Sequence, residues 1–191
     1  MVEAGLRVPV ESGFNGDTKL TFGSRAHALC LGVLPKMTIM SPDLEAFIVA
    51  AKRACYVGDG AAAQSSRVGS HDLIFADGPW LYRDSYFGGT DFIGQEVVWR
   101  EQQPVWAMNY HGFILRPDLI DAARAGATIK AALTAMYAQG RFLGGWEWQG
   151  PHSRYVDRSE GHAARFTGRE AILVDEVQAY ALVYAGGLIK A

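Results

Sequence analysis

The stretch from Ser70 to Gly112, SHDLIFADGPWLYRDSYFGGTDFIGQEVVWREQQPVWAMNYHG, constrains the fold most. It combines aromatic and β-branched residues, turn signals and an alternation of period two, which is the pattern of strands rather than helices. Trp80, Tyr82, Asp84 and Tyr86 fall on one face of a strand, with Leu81, Arg83, Ser85 and Phe87 on the other. A carboxylate therefore stands in an aromatic row. Asp77-Gly78 predicts a hairpin turn, followed by Pro79, which lacks a backbone donor. With Asp77 and Gly78 as the loop, Phe75 faces Trp80, Leu73 faces Tyr82 and His71 faces Asp84, and directly opposed side chains lie ~5 Å apart. Further strands are predicted over residues 92–100 and 105–114. Pairing Glu96 with Asn109 gathers Val97, Trp99, Trp106, Met108 and Tyr110 on a core face. Glu96, Val98, Ala107, Asn109 and His111 then share the other face, either a solvated surface or the lining of a polar cleft.

Around this stretch the sequence places two helices. Ser41, Pro42 and Asp43 supply an N-cap, a proline at the first helical position and an acidic first turn. Leu44, Phe47, Ile48 and Ala51 follow at helical spacing, and Gly58 ends the run. Residues 59–69, rich in Gly, Ala and Ser, read as a connector or a lid. Pro117 opens a second helical region running to Tyr137, with Leu119, Ile120, Ala123, Ile129, Leu133, Met136 and Tyr137 spaced for burial. Strands are expected near 146–149, 155–158, 163–166, 171–175 and 180–184. No internal repeat or low-complexity tract is visible. Residues 1–36 lack helical or strand period and read as a leader to one domain over 37–191. The expected fold class is α+β: a curved, mainly antiparallel sheet of six to seven strands with two helices packed on one face.

Composition excludes several function classes. A chain of 191 residues, 49% hydrophobic, has enough apolar surface for one core. Its net charge of -2 offers no general attraction to nucleic acid or an anionic membrane, so neither is expected as a partner. Cys30 and Cys55 have no metal-ligand spacing and read as free thiols of a reducing compartment, which points to a cytoplasmic protein. No apolar run approaches the ~18 residues needed to span a bilayer. His27, His71, His111, His152 and His162 are scattered without HxH or HExxH spacing, so no metal is expected. The pairs Gly88-Gly89, Gly144-Gly145 and Gly186-Gly187 form no phosphate loop, and no cofactor is expected.

The motifs SHDL, DSYFGG, GQEVVW, PVWAMNYHG and YAGGLIK, in this order, resemble a bacterial family of unknown function whose domain occurs alone or behind an Xre-type helix-turn-helix in regulators. The resemblance covers residues 44–190 and implies an α+β domain with no assigned chemistry. Residues 1–36 show no helix-turn-helix pattern. By analogy, a domain attached to DNA-binding modules senses a small ligand.

Two clusters carry the functional expectations. His71 with Asp84 makes a carboxylate-oriented imidazole, suited either to general base catalysis or to a cross-strand hydrogen bond. Ser70 and Ser85 lie nearby without a nucleophile-elbow context. Glu96, Asn109 and His111, with Tyr86 and Tyr184 as aromatic walls, could grip a polar ligand or face water. The leading expectation is a small-molecule-binding or sensor domain. The alternative is a small cofactor-independent hydrolase or isomerase using His71 and Asp84. The expected partner is a small molecule, with a homodimer left open.

Overall fold

A computed structural model describes residues 42–57 and 61–190. The expectations for residues 1–36, Cys30, the Ser41 cap and the Gly58 stop lie outside the described residues. Helix α1, Pro42–Lys52, passes into a π-helical turn, Arg53–Val57. Strands β1 Ala61–Ala63, β2 His71–Asp77, β3 Trp80–Gly88, β4 Phe92–Arg100 and β5 Gln103–Ile114 follow. Helix α2, Ala122–Tyr137, is capped by the Asp121 side chain, which accepts from the Arg124 N–H. Strands β6 Trp146–Gln149, β7 Arg154–His162, β8 Arg165–Val174 and β9 Val177–Leu188 complete the chain.

All strands join one antiparallel sheet in the order β1-β2-β3-β4-β5-β9-β8-β7-β6. The α+β class therefore stands, but the sheet has nine strands rather than six to seven. Ala61–Ala63 of the expected connector adds an edge strand, and every short segment after α2 pairs into the same sheet. Both helices lie on one face. Phe47 of α1 packs on Phe75 and Trp80, and the Trp146 indole donates to the Ala132 carbonyl of α2.

Residues 64–69 do not form a lid over this face. The Ser66 N–H donates to Asp72 and the Arg67 guanidinium donates to Ser85, both on the face away from the helices. There the Ser70 and Ser85 hydroxyls donate to Asp72 Oδ1 at 2.7 and 2.8 Å, so both serines serve this carboxylate. Burial alone would raise the Asp72 pKa, but hydrogen bonds from Ser66, Ser70 and Ser85 outweigh it and hold the carboxyl at about 2.

Two hairpin registers differ from the sequence expectation. In the first, Asp77 pairs with Trp80, leaving Gly78-Pro79 as the loop. Gly78 has φ 53°, and the fixed negative φ of proline suits the next position of a type II′ turn, so Pro79 moves the loop by one residue. His71 consequently faces Tyr86, and Asp84 faces Leu73. In the second hairpin, Val98 pairs with Trp106 and Trp99 with Pro104, so Val105 is a bulged residue. Glu96 then faces Met108, while Asn109 pairs with Gln95 on the opposite side of the sheet.

The registers reveal an internal repeat that the sequence reading missed. Tyr82, Asp84 and Gly88 of β3 recur as Tyr155, Asp157 and Gly161 of β7. Phe92, Gly94 and Glu96 of β4 recur as Phe166, Gly168 and Glu170 of β8, and Tyr110 and Gly112 of β5 as Tyr184 and Gly186 of β9. The turns Glu101-Gln102 and Asp175-Glu176 both have positive φ throughout, and bulges at Val105 and Ala179 match. The helices repeat as well: Ala50-Ala51-Lys52-Arg53-Ala54-Cys55-Tyr56 aligns with Ala131-Ala132-Leu133-Thr134-Ala135-Met136-Tyr137. Each unit is one helix followed by a four-stranded meander, β2–β5 in the first and β6–β9 in the second, and β1 is an added edge strand without a counterpart. The units meet along β5 and β9 with Tyr110 opposite Tyr184, and the pairing of Met108 with Gly186 is mirrored by that of Gly112 with Leu182.

Candidate functional site

The helix-covered face carries carboxyls and phenols where a core would ordinarily be apolar. In the first unit, Lys52 from α1 reaches Glu96 with its Nζ 2.7 Å from Oε1 and 2.6 Å from Oε2. It also lies 3.6 Å from the Met108 sulfur and 5.6 Å from the centre of the Phe142 ring. Lys52 is 4% exposed and Glu96 1%, so this ion pair is removed from water and each charge depends on the other.

Beside the pair, Asp84, 1% exposed, accepts from Tyr110 at 2.6 Å on Oδ1 and from Tyr56 at 2.8 Å on Oδ2. The π-helical turn carries Tyr56, and such locally widened turns are frequent at functional sites. Burial, followed by the nearby Glu96 charge, pushes the Asp84 carboxyl up to about 7 despite its two phenol donors.

The second unit repeats these acids with fewer partners. Asp157, 2% exposed, accepts from Tyr184 at 2.6 Å on Oδ1, while its Oδ2 has no hydrogen-bond partner among the described residues. Burial raises its pKa. Glu170 is opposite Asp157 in the ladder, and burial together with the Asp157 charge pushes its carboxyl up to about 8.

Gly94 and Gly168 make these phenol–carboxylate bonds sterically available. A methyl group at Gly94 would overlap the Tyr110 ring, and one at Gly168 would overlap the Tyr184 ring. With no Cβ, each glycine lets the facing phenol lie flat across its strand toward the acid two strands away.

Two small cavities open between the sheet and the helices. One of about 70 Å³ is lined by Lys52, Glu96, Tyr110, Tyr137, Glu170 and Tyr180, and the Tyr180 hydroxyl has no partner among the described residues. The other, about 30 Å³, is bordered by Lys52, Leu133, Tyr155, Asp157, Glu170 and Tyr184. A water needs about 10–15 Å³ of such space, so these volumes suit a few atoms rather than a large ligand. A broader groove of about 710 Å³ between α1 and the end of α2 has Arg53 as its one charged side chain and shares Tyr137 with the two small cavities.

The residues singled out from sequence divide between the two faces. Asp84, Glu96, Tyr86 and Tyr184 project to the helix-covered side, while His71 is an exposed residue at the start of β2 whose ring lies tilted against Tyr86 at 5.2 Å. The expected His71–Asp84 cross-strand pair does not form, because Pro79 sets the turn. Asn109 and His111 are exposed on the outer side, Asn109 accepting from Gln95 and His111 packed beside Phe113. The bulge at Val105 therefore separates Glu96 from Asn109 and His111. Sequence reading missed Lys52, Tyr56, Asp157 and Glu170. Their signal was the repeat, in which Asp84 and Glu96 recur within the same glycine and tyrosine framework.

A family model for a domain of unknown function, DUF5680, matches residues 84–189. The chain belongs to the DUF5680 family. No curated protein and no solved structure matches it. The DUF5680 span contains Asp84, Glu96, Tyr110, Asp157, Glu170 and Tyr184, whereas Lys52 and Tyr56 precede it. Among the described residues of this DUF5680 protein, no group of three or more His, Cys, Asp or Glu could hold a metal ion. No described helix is long and apolar enough to cross a membrane.

Proposed function

We propose that the protein is a small-molecule-binding domain, of the kind that serves as a sensor, with its ligand held in the helix-covered interior. The observation that carries this reading is the convergence of three carboxyls, Glu96, Asp157 and Glu170, on cavities that also expose unpartnered polar atoms, with Asp84 joined to them through Tyr110. Buried polar groups are ordinarily satisfied, and a functional site is where exceptions concentrate. The sensor role is supported by the resemblance to domains that follow helix-turn-helix modules. The interior chemistry supports recognition of a polar group of a few atoms; Glu96 and Tyr184 border the cavities and keep their place in the binding reading, Asp84 enters it through its bond from Tyr110, and Tyr86 borders neither cavity. Asn109 and His111 leave it, since they are on the outer face.

A thermal-shift screen with small metabolites tests the proposal. A ligand at a hundred times its Kd stabilises the folded state by about 2.7 kcal/mol and raises the Tm accordingly. Leu182, 7% exposed, borders the larger cavity, and Leu182→Phe would fill part of it. The expected result is a stabilising ligand whose effect shrinks in Leu182→Phe. A hit that acts equally on both proteins, or no hit of any charge type, would refute interior binding.

A further inference from the structure

The two units build the same interior wall with one substitution that changes its charge balance. Glu96 receives an ammonium from Lys52, whereas the matching position on α2 is Leu133. Glu170, the half-buried counterpart of Glu96, thus has an alkyl group at the matching helix position, and only the more distant Lys52 and the Tyr155 hydroxyl favour its charged form. The second carboxylate of this unit is also short of a partner. Tyr56 donates to Asp84 Oδ2, but Asp157 Oδ2 accepts from nothing among the described residues, although Asp157 is 2% exposed and borders the 30 Å³ cavity with Glu170. The interior therefore sets four carboxyls against one ammonium, and the shortfall is concentrated in the second unit.

We infer that the second unit holds a binding site for the ammonium group of a small primary amine, with Asp157 and Glu170 receiving its charge in the space Leu133 leaves open. The inference rests on the binding role proposed above and names the ligand class. An unpaired carboxylate in such a place is costly, and a bound cation removes the cost. An ammonium suits the surroundings better than a hard metal ion. This wall already holds the Lys52 ammonium beside a thioether and an aromatic ring, and Lys52 borders the second cavity together with Met108, Phe142 and Tyr137. A calcium-type ion would instead require six to eight oxygen ligands. The small volume restricts the rest of the ligand to a short chain, which the adjoining 70 Å³ cavity, also bordered by Glu170 and Tyr137, can take.

The test is calorimetric titration and thermal shift of the full chain with methylammonium and ethylammonium chlorides at constant ionic strength. Ethanol and tetramethylammonium serve as probes of matching size without charge and of charge without N–H donors. The expected result is stabilisation by the two primary ammonium ions alone, affinity at least tenfold weaker in Glu170→Gln, and no response in Leu133→Lys, whose own ammonium would fill the space. Should Leu133→Lys fail to fold, Asp157→Asn and the wild-type comparison between ethylammonium and ethanol decide the matter. Equal responses to ethylammonium and ethanol, or unchanged ethylammonium affinity in Glu170→Gln, would overturn the inference. A neutral or anionic hit that Leu182→Phe weakens, with no response to ammonium, would sink the amine and keep the binding domain. Silence from every probe and every library compound would sink both.

Discussion

The first unit closes its polar network within the chain, and the second leaves its network open. In the first, Lys52 neutralises Glu96 and two phenols satisfy Asp84. In the second, Leu133 replaces the lysine and one phenol serves Asp157. The strand frame is otherwise the same, down to matching glycines, bulges and positive-φ turns. The difference teaches that one scaffold can hold a buried acid pair in two ways. One uses an internal counter-ion and acts as structure. The other has no ammonium of its own and holds its acids with raised pKa values.

The sharpest way to break this comparison is to remove the internal cation. Lys52→Met should destabilise the protein by about 3–5 kcal/mol in urea unfolding, because Glu96 would be left buried and unpaired. The matching Leu133→Met, a volume-conserving change, should cost under about 1.5 kcal/mol. Similar costs for the two would show that Lys52 is not an essential counter-ion.

The glycine frame is the next lever. Gly94→Ala and Gly168→Ala each force a phenol off its strand and should each cost about 1–3 kcal/mol by the same measurement, while shifting the tyrosine near-ultraviolet circular dichroism. A cost at one position only would disprove the equivalence of the units.

Titration separates the units on the pH axis. Asp84 and Glu170 have folded pKa values raised to about 7 and about 8, so the folded state holds protons that the unfolded chain releases near pH 4. Their contribution is full below that unfolded value and is lost as pH rises through the folded ones. Stability should therefore decline by about 1–3 kcal/mol between pH 5 and pH 8.5. Asp84→Asn and Glu170→Gln should each make the decline shallower, read as Tm against pH. A Tm that rises across this window in the wild type would contradict the assignment.

The smallest expected effect concerns the turns. Gln102 and Glu176 hold φ of 68° and 61°, which costs a non-glycine residue about 1 kcal/mol. Gln102→Gly and Glu176→Gly should each be neutral to stabilising by up to about 1 kcal/mol, and by similar amounts. Unequal effects would place the second turn outside the repeat.

Much of the frame was legible in the strand alternation, the Pro42 start of α1 and the aromatic row containing Asp84. The repeat was not, because its identities alternate along the strands. Tyr82, Asp84, Gly94, Glu96 and Tyr110 match their counterparts, while the outer positions between them diverge: Arg83 against Val156, Gln95 against Arg169, Asn109 against Val183 and His111 against Ala185. A contiguous window averages the two faces and hides the match. The same alternation explains the misplaced ligands. A single bulge at Val105 turns Asn109 and His111 outward, and no residue type near it announces the bulge.

The sequence by itself determined most of the strand and helix segments, since period and turn chemistry are local properties, although it read β1 as a connector, began α2 at Pro117 and divided β8 in two. It also set the stock of buried acids and phenols. Only the tertiary structure decided which acids meet a cation. Lys52 and Glu96 are far apart in the chain, and whether α1 delivers an ammonium or α2 a leucine to a given carboxylate depends on how both helices cross the same sheet face. Burial then gives that choice its force, because in the absence of water each carboxyl must find a donor, keep its proton or take a counter-ion from outside.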